Sequence, residues 1–161
     1  MIRDFANPSD GDKFFPKWRH KDWFVGSSWA SGIAFNYWAP DAEGRNQESV
    51  SEAVNAYDAL ALYGEAMVQA FQDVNDNLQA VSQDIRDTGR VMLATELEAA
   101  LRLWQVCDGS CGASMDRIYP TGFTPKVVGQ IWSTSAQMQT WFGSAWWKVP
   151  SIDPTSLPGT E

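Results

Sequence analysis

The chain has 161 residues, the length of one domain, with 12 Lys and Arg against 20 Asp and Glu, a net charge of −8. That balance argues against nucleic acid, whose phosphates need clustered cations, and against an anionic membrane surface. No run approaches the roughly 18–20 consecutive apolar residues of a membrane span, and the polar start MIRDFANPSD carries no secretory signal.

Residues 1–45 lack sustained periodicity and are rich in Gly, Pro, Ser, Asp and aromatics. They predict a long structured loop, since aromatics such as Phe14, Trp18, Trp23, Trp29 and Trp38 argue against disorder. A first helix is predicted from about residue 46–49 to 72, with Val50, Ala53, Val54, Tyr57, Leu60, Ala61 and Gly64 on one apolar stripe. The polar run Asp73, Asn75, Asp76, Asn77 predicts a break and a cap. A second helix over 78–105 carries two adjacent stripes: Val81, Ile85, Met92, Ala99 and Leu103, and Leu93, Leu97, Ala100, Leu101 and Trp104. So wide an apolar arc predicts packing on more than one side. A Gly/Pro-punctuated loop over 107–126 precedes a third predicted helix from Val127 to Phe142, stopped by Gly143. The tail from Val149 reads as extended. No strand pattern rises above noise, so the expectation is an all-α fold whose helices pack antiparallel in a hairpin array.

The chain's nine Trp, eight Phe and four Tyr suit either a large aromatic core or a surface that stacks on sugar rings. Cys107 and Cys111 are spaced C-x3-C, and His20 is the only histidine. A zinc site needs about four ligands, so the cysteines read as free thiols or one local disulfide, with no metal and no cofactor implied. No P-loop, dinucleotide fingerprint, nucleophile elbow or HExxH occurs.

The most informative segment is GRNQESVSEAVNAY, residues 44–57. At helical spacing Glu48, Glu52, Asn55 and Ala59 share the face opposite the apolar stripe, and residues 46–64 hold no Lys or Arg. Carboxylates at i, i+4 repel by about 0.2–0.5 kcal/mol, although a helix N-terminus favours negative charge. Three readings fit that spacing: Ser49 and Glu52 form a capping box, the pair is a solvated acidic face, or the carboxylates do acid/base chemistry. In HKDWFVGSSWASG, residues 20–32, small residues around Trp23 and Trp29 permit close approach of a ligand, and Asp22 can hydrogen-bond hydroxyl groups. An aromatic-packed turn fits the same residues.

Taken together, RHKDWFVGSSWASG, GRNQESVSEAVNAYDALALYG, GRVMLATELEA, RIYPTGFTPKVVGQIWS and TWFG closely resemble glycoside hydrolase family 81, the endo-β-1,3-glucanases, in order along most of the chain. The resemblance implies part of an α/α toroid, a six-hairpin helical barrel with long aromatic-rich loops. It implies hydrolysis of internal β-1,3-glucan bonds with inversion. It assigns Glu48 as general base and Glu52 as an auxiliary carboxylate, with Asp22, Trp23, Trp29, Ser31 and Asn55 as substrate-binding residues. The family's GHSWASG motif reads GSSWASG here, with Ser27 at the histidine position. The family's general acid is an aspartate upstream of that motif, expected outside this chain, which reads as a C-terminal portion of the catalytic domain. Residues 1–45 would be the substrate-loop region, 46–145 the helical region and 146–161 an extended tail. The implied partner is a laminarin-like β-1,3-glucan, met by a secreted or cell-wall monomer with no nucleic-acid or membrane partner. The alternative is a catalytically inactive glucan-binding remnant or a truncated gene product.

Overall fold

The structure, a computed structural model, describes residues 2–7, 9–29, 46–47, 50–106, 118–120, 122–132 and 136–137. Two long helices dominate it: α2 (Val50–Phe71) and α3 (Asp76–Ala99), preceded by the short α1 (Ile2–Phe5). The predicted stripe of α2 is the buried one, with Val50, Tyr57, Leu60, Ala61 and Gly64 all buried. Asp73 ends α2 in a left-handed conformation at φ 59, which Asp tolerates better than most residues. Asn75 then caps α3, its side chain accepting from the Leu78 N–H at 3.0 Å. The predicted break and cap thus fall within the predicted polar run.

The tight turn folds α3 back antiparallel on α2, and two glycines set how closely they meet. A Cβ on Gly89 would lie 2.6 Å from the Ala61 backbone nitrogen, and one on Gly64 would collide with the Arg86 backbone. Backbone cannot move aside as a flexible side chain can. Gly64→Ala and Gly89→Ala are each expected to destabilise by at least the ~1–3 kcal/mol typical of overpacking. Gly122→Ala, with nothing within 4 Å, is the control expected to stay within about 0.5 kcal/mol. Thermal unfolding checks all three, and equal midpoints for the three variants would contradict the close crossing.

Around this crossing Tyr57, Leu60, Met92 and Ala6 form one core, flanked by Ile2, Phe5, Trp18, Ile85 and Leu93. Beyond Ala99 the helix widens into a π-helical turn, Ala100–Trp104, closed by the Gln105 N–H donating to the Ala100 carbonyl at 3.3 Å. The Leu103 carbonyl accepts from the Tyr119 hydroxyl at 2.6 Å. A second core forms here from Val50, Ala100, Trp104, Val128 and Ile131, with Trp29 and Tyr119 packed against it.

Three short strands close that core, and they correct two expectations. The segment predicted as a third helix, Val127–Phe142, contains β2 (Gln130–Trp132) and β3 (Ala136–Gln137), and β1 (Asn46–Gln47) precedes α2. They form an antiparallel sheet in the order β1-β2-β3, with Asn46 opposite Trp132 and Gln130 opposite Gln137. The physical reason lies in Val127-Val128-Gly129: β-branched residues and a glycine disfavour helix. The end of the π turn also offers a partner, since the Val128 N–H donates to the Trp104 carbonyl at 2.9 Å and Val106 N–H to the Lys126 carbonyl at 3.0 Å. Each strand has only two or three residues, and the described fold remains predominantly helical, as an all-α class requires.

The wide apolar arc of α3 is only partly covered: Met92 and Ala99 are buried, whereas Val81, Val91 and Leu101 are exposed, as are Leu62 and Tyr63 on α2. Among the described residues, no helix is long and apolar enough to cross a membrane. The expectations for Cys107, Cys111, Gly143 and the tail from Val149 lie outside the described residues.

Candidate active-site cleft

The loop over residues 20–29 is organised by one carboxylate. Oδ1 of Asp22 accepts the N–H groups of Phe24 (2.9 Å) and Val25 (3.2 Å), while Oδ2 accepts the indole N–H of Trp29 at 3.0 Å. Backbone bonds from Trp29 to the His20 carbonyl (2.8 Å) and from Asp22 to the Ser27 carbonyl (2.9 Å) close the loop. Asp22 therefore fixes the rotation of the Trp29 ring with its N–H edge satisfied, while the ring, half-buried, packs on the second core and lines the cleft.

A buried ionic network pins this loop to the helical hairpin. Lys21 Nζ lies 3.2 Å from Glu96 Oε2 on α3, both side chains fully buried. It also donates to the Gly26 carbonyl at 2.5 Å and sits 5.8 Å from the centroid of the Tyr57 ring. The other Glu96 oxygen accepts from Ser27 Oγ at 2.9 Å. Ser28 and Tyr57 join their hydroxyls at 2.5 Å. Ser27, at the position where the motif it resembles has histidine, thus serves the buried side of the loop as a donor to Glu96. Burial lowers the Lys21 ammonium pKa, and the Glu96 charge and hydrogen bond oppose that shift.

Above the network opens a cleft of about 280 Å³, lined by Phe5, His20, Ser28, Trp29, Gln47, Glu52, Ala53, Ala56 and Tyr57. Glu52 lies in the first turn of α2 and is solvent-exposed, as the helical spacing predicts. It meets Trp29 across a largely apolar floor. Gln47, at the end of β1, lines the same cleft. Trp29 and Glu52 are thereby brought together, with Asp22 directly behind Trp29. Trp23 does not line this cleft; it stands 52% exposed and packs on Trp18 with ring centroids 5.0 Å apart. Asn55 is exposed on α2 and is also absent from the cleft lining. Glu48, Ser49 and Ser31 lie outside the described residues. Among the described residues no group of three His, Cys, Asp or Glu could hold a metal ion.

Sequence reasoning passed over Lys21, Glu96 and Tyr57 as working groups. A signal for Glu96 existed: with Met92 and Ala100 it falls at i, i+4, i+8 on the buried stripe of α3, and a carboxylate there demands a partner.

The buried phenols make a pH prediction. Burial pushes Tyr57 up to about 12, with the Ser28 hydrogen bond opposing and the Glu96 charge assisting, and burial likewise pushes Tyr119 up to about 12. In the unfolded chain tyrosines ionise near pH 10. Each therefore contributes stability that is whole below pH 10 and is lost as pH climbs through 12. Lys21 acts in the opposite sense: its lowered pKa costs stability that is regained as pH approaches 10.5. Two phenols against one ammonium give a net loss, so the denaturant midpoint is expected to fall between about pH 10 and 12. Absorbance at 295 nm, compared with the Tyr57→Phe and Tyr119→Phe variants, should show these two phenols ionising late; their titration near pH 10 would contradict their burial.

Comparison with known proteins places this chain in a family. The family model described as glycosyl hydrolase family 81 C-terminal domain matches residues 1–155. A glucan endo-1,3-beta-D-glucosidase of Thermobifida fusca is 32% identical over 142 residues, covering 88% of this chain and 15% of that protein. One from Glycine max is 30% identical over 165 residues, covering 98% of this chain and 20% of that protein. The primary septum glucan endo-1,3-beta-D-glucosidase of Schizosaccharomyces pombe is 29% identical over 145 residues, covering 89% and 12%. The chain thus spans a fifth or less of the length of these relatives. No solved structure matches it. With the family model matched over nearly its whole length, the chain belongs to glycoside hydrolase family 81.

Proposed function

We propose that this chain carries the base side of a site that hydrolyses internal β-1,3-glucan bonds with inversion. The observation that carries the reading is the single cleft on which Trp29, held by Asp22, meets Glu52 at the start of α2. A pyranose ring stacks its apolar face on the indole while its glycosidic carbon faces the carboxylates. Inversion requires one carboxylic acid to protonate the departing oxygen. It also needs a carboxylate roughly 6.5–9.5 Å away to activate water on the opposite face. Glu48, next in the chain after the cleft residue Gln47, is the proposed base, with Glu52 as its auxiliary and Asp22, Trp23, Ser31 and Asn55 as further substrate contacts. The acid belongs to the portion of the family protein that precedes the matched segment.

The exposed apolar residues along α2 and α3 support a further part of the reading. They suit a hairpin that packs against other hairpins in a toroid, since large exposed apolar patches mark interfaces. Within it, we assign the substrate-loop role to residues 1–45 and the hairpin-bearing part to the segment that holds α2 and α3. The substrate is β-1,3-glucan, a polymer of cell walls, met by a monomeric protein that engages neither nucleic acid nor membrane. The name of the Schizosaccharomyces pombe relative, a primary septum enzyme, supports a secreted or wall location.

The test is a chimera in which this chain replaces the matching 142 residues of the Thermobifida fusca protein. It is expected to release reducing ends from linear β-1,3-glucan, and Trp29→Ala should raise KM roughly tenfold, the equivalent of ~1.4 kcal/mol of lost stacking. A folded chimera without turnover on this glucan would overturn the reading.

A further inference from the structure

Two separate pieces of chain bound the cleft, and one buried bond joins them. Trp29 belongs to the loop over residues 20–29, and Glu52 belongs to the first turn of α2. Ser28 directly precedes Trp29, and Tyr57 stands five residues after Glu52 on the same helix. All four residues line the cleft. The Ser28 and Tyr57 hydroxyls meet at 2.5 Å, and both residues are buried. Water is kept from that bond, and in the low-dielectric interior it is stronger than at the surface. Burial pushes the Tyr57 phenol up to about 12, so it stays protonated, and the bond intact, across the neutral range.

The other ties on the loop run elsewhere. Asp22 holds the Trp29 indole from within the loop, and Lys21 and Ser27 fasten the loop to Glu96 on α3. Ser28 reaches instead to α2, the helix that carries Glu52. The Tyr57 ring is itself anchored, with the Phe5 ring centroid 6.1 Å away and Lys21 Nζ 5.8 Å from its own centroid. Its hydroxyl is therefore carried on a fixed support. We infer that Ser28 and Tyr57 are positioning residues whose bond sets the gap between Trp29 and Glu52. That gap places a glucosyl ring stacked on Trp29 relative to the carboxylates at the start of α2, and neither hydroxyl needs to touch the sugar. The inference rests on the cleft as the glucan site. Misplacing reacting groups by about 1 Å costs on the order of 10²-fold in rate, so one bond here weighs more in catalysis than in stability.

The test uses the chimera with the Thermobifida fusca protein and the variants Tyr57→Phe, Ser28→Ala and the two combined. Tyr57→Phe keeps the ring and its contacts with Phe5 and Lys21 and removes only the hydroxyl. Each single variant leaves one buried hydroxyl without its partner and is expected to lower the unfolding midpoint. The combined variant leaves neither group unpaired and should recover most of that loss. Catalysis should not recover with it: kcat on linear β-1,3-glucan is expected to fall roughly tenfold to a hundredfold in all three variants, with KM within about twofold. Tyr119→Phe loses a hydroxyl that donates to the Leu103 carbonyl outside the cleft lining, and should lower the midpoint with kcat unchanged. A kcat that returns with stability in the combined variant, or that stays unchanged in every variant, would overturn the positioning role. An unmodified chimera without turnover would overturn the cleft reading instead. The Trp29 indole N–H resonance of the 161-residue chain then decides the gap: split or broadened in the combined variant if the bond sets it, single and unshifted if it does not.

Discussion

Glu48→Gln, placed in the chimera with the Thermobifida fusca protein, is expected to lower kcat on linear β-1,3-glucan by at least about 10²–10⁴-fold, the range lost with a general base. The amide keeps the size and shape of the side chain but cannot take a proton from the attacking water. The proposed substrate contacts of Trp29 and Asp22 are untouched, so KM should change little. Glu52→Gln should also slow the enzyme, but less. Its carboxylate stands on the cleft wall, where it can hold the water without receiving the proton. Part of any Glu52 effect would be structural if Ser49 and Glu52 also share a capping box, worth ~1 kcal/mol. The readout is the initial rate of reducing-end release for each variant. Full activity in Glu48→Gln would remove Glu48 from the mechanism.

The second large effect is expected at the buried ion pair. Lys21→Met removes the ammonium but leaves the Glu96 carboxylate fully buried with Ser27 Oγ as its remaining donor. Breaking one side of such a pair typically costs 3–5 kcal/mol, because an uncompensated charge stays in a low-dielectric interior. Replacing both partners by apolar residues of similar size, Lys21→Met with Glu96→Leu, is expected to recover most of that loss. The two single variants and the double variant form a cycle read by denaturant unfolding of the chain. Loss of the pair should reach the cleft as well, since Lys21 also holds the Gly26 carbonyl and stands over Tyr57. Additive single effects would show that Lys21 and Glu96 act independently and would contradict the network.

Much of the helical hairpin was legible because it is written in local signals. The stripe from Val50 to Gly64, the polar break before Asn75, and the solvent side of α2 carrying Glu52 all follow from 3.6-residue periodicity and capping chemistry. The predicted third helix gives way to strands because Val128, Ile131 and Trp132 fit a helix and a strand alike over so few residues. What decides is tertiary: Trp104 and Asn46–Gln47 present backbone partners to this segment, and neither is near it in sequence. The same reason hid the network around Lys21, whose partner Glu96 lies 75 residues along the chain. The site divides likewise. Trp29 and Glu52 were chosen from motif and face and share the cleft, while Trp23, chosen from the same motif, sits on Trp18 because Asp22 turns the loop between Trp23 and Trp29. Side-chain direction within a ten-residue loop is set by its hydrogen bonds, which spacing does not encode.

The central claim, that Glu48 delivers the water in an inverting site, is tested most directly by the products of Glu48→Gln in the presence of azide. Azide needs no base, so it can attack from the face that water uses and displace the protonated leaving group. Nuclear magnetic resonance of the reaction should show an α-glucosyl azide forming from the β-linked substrate at a rate well above the variant's residual hydrolysis. A variant that hydrolyses the glucan at the unmodified rate, with no azide product, would contradict it.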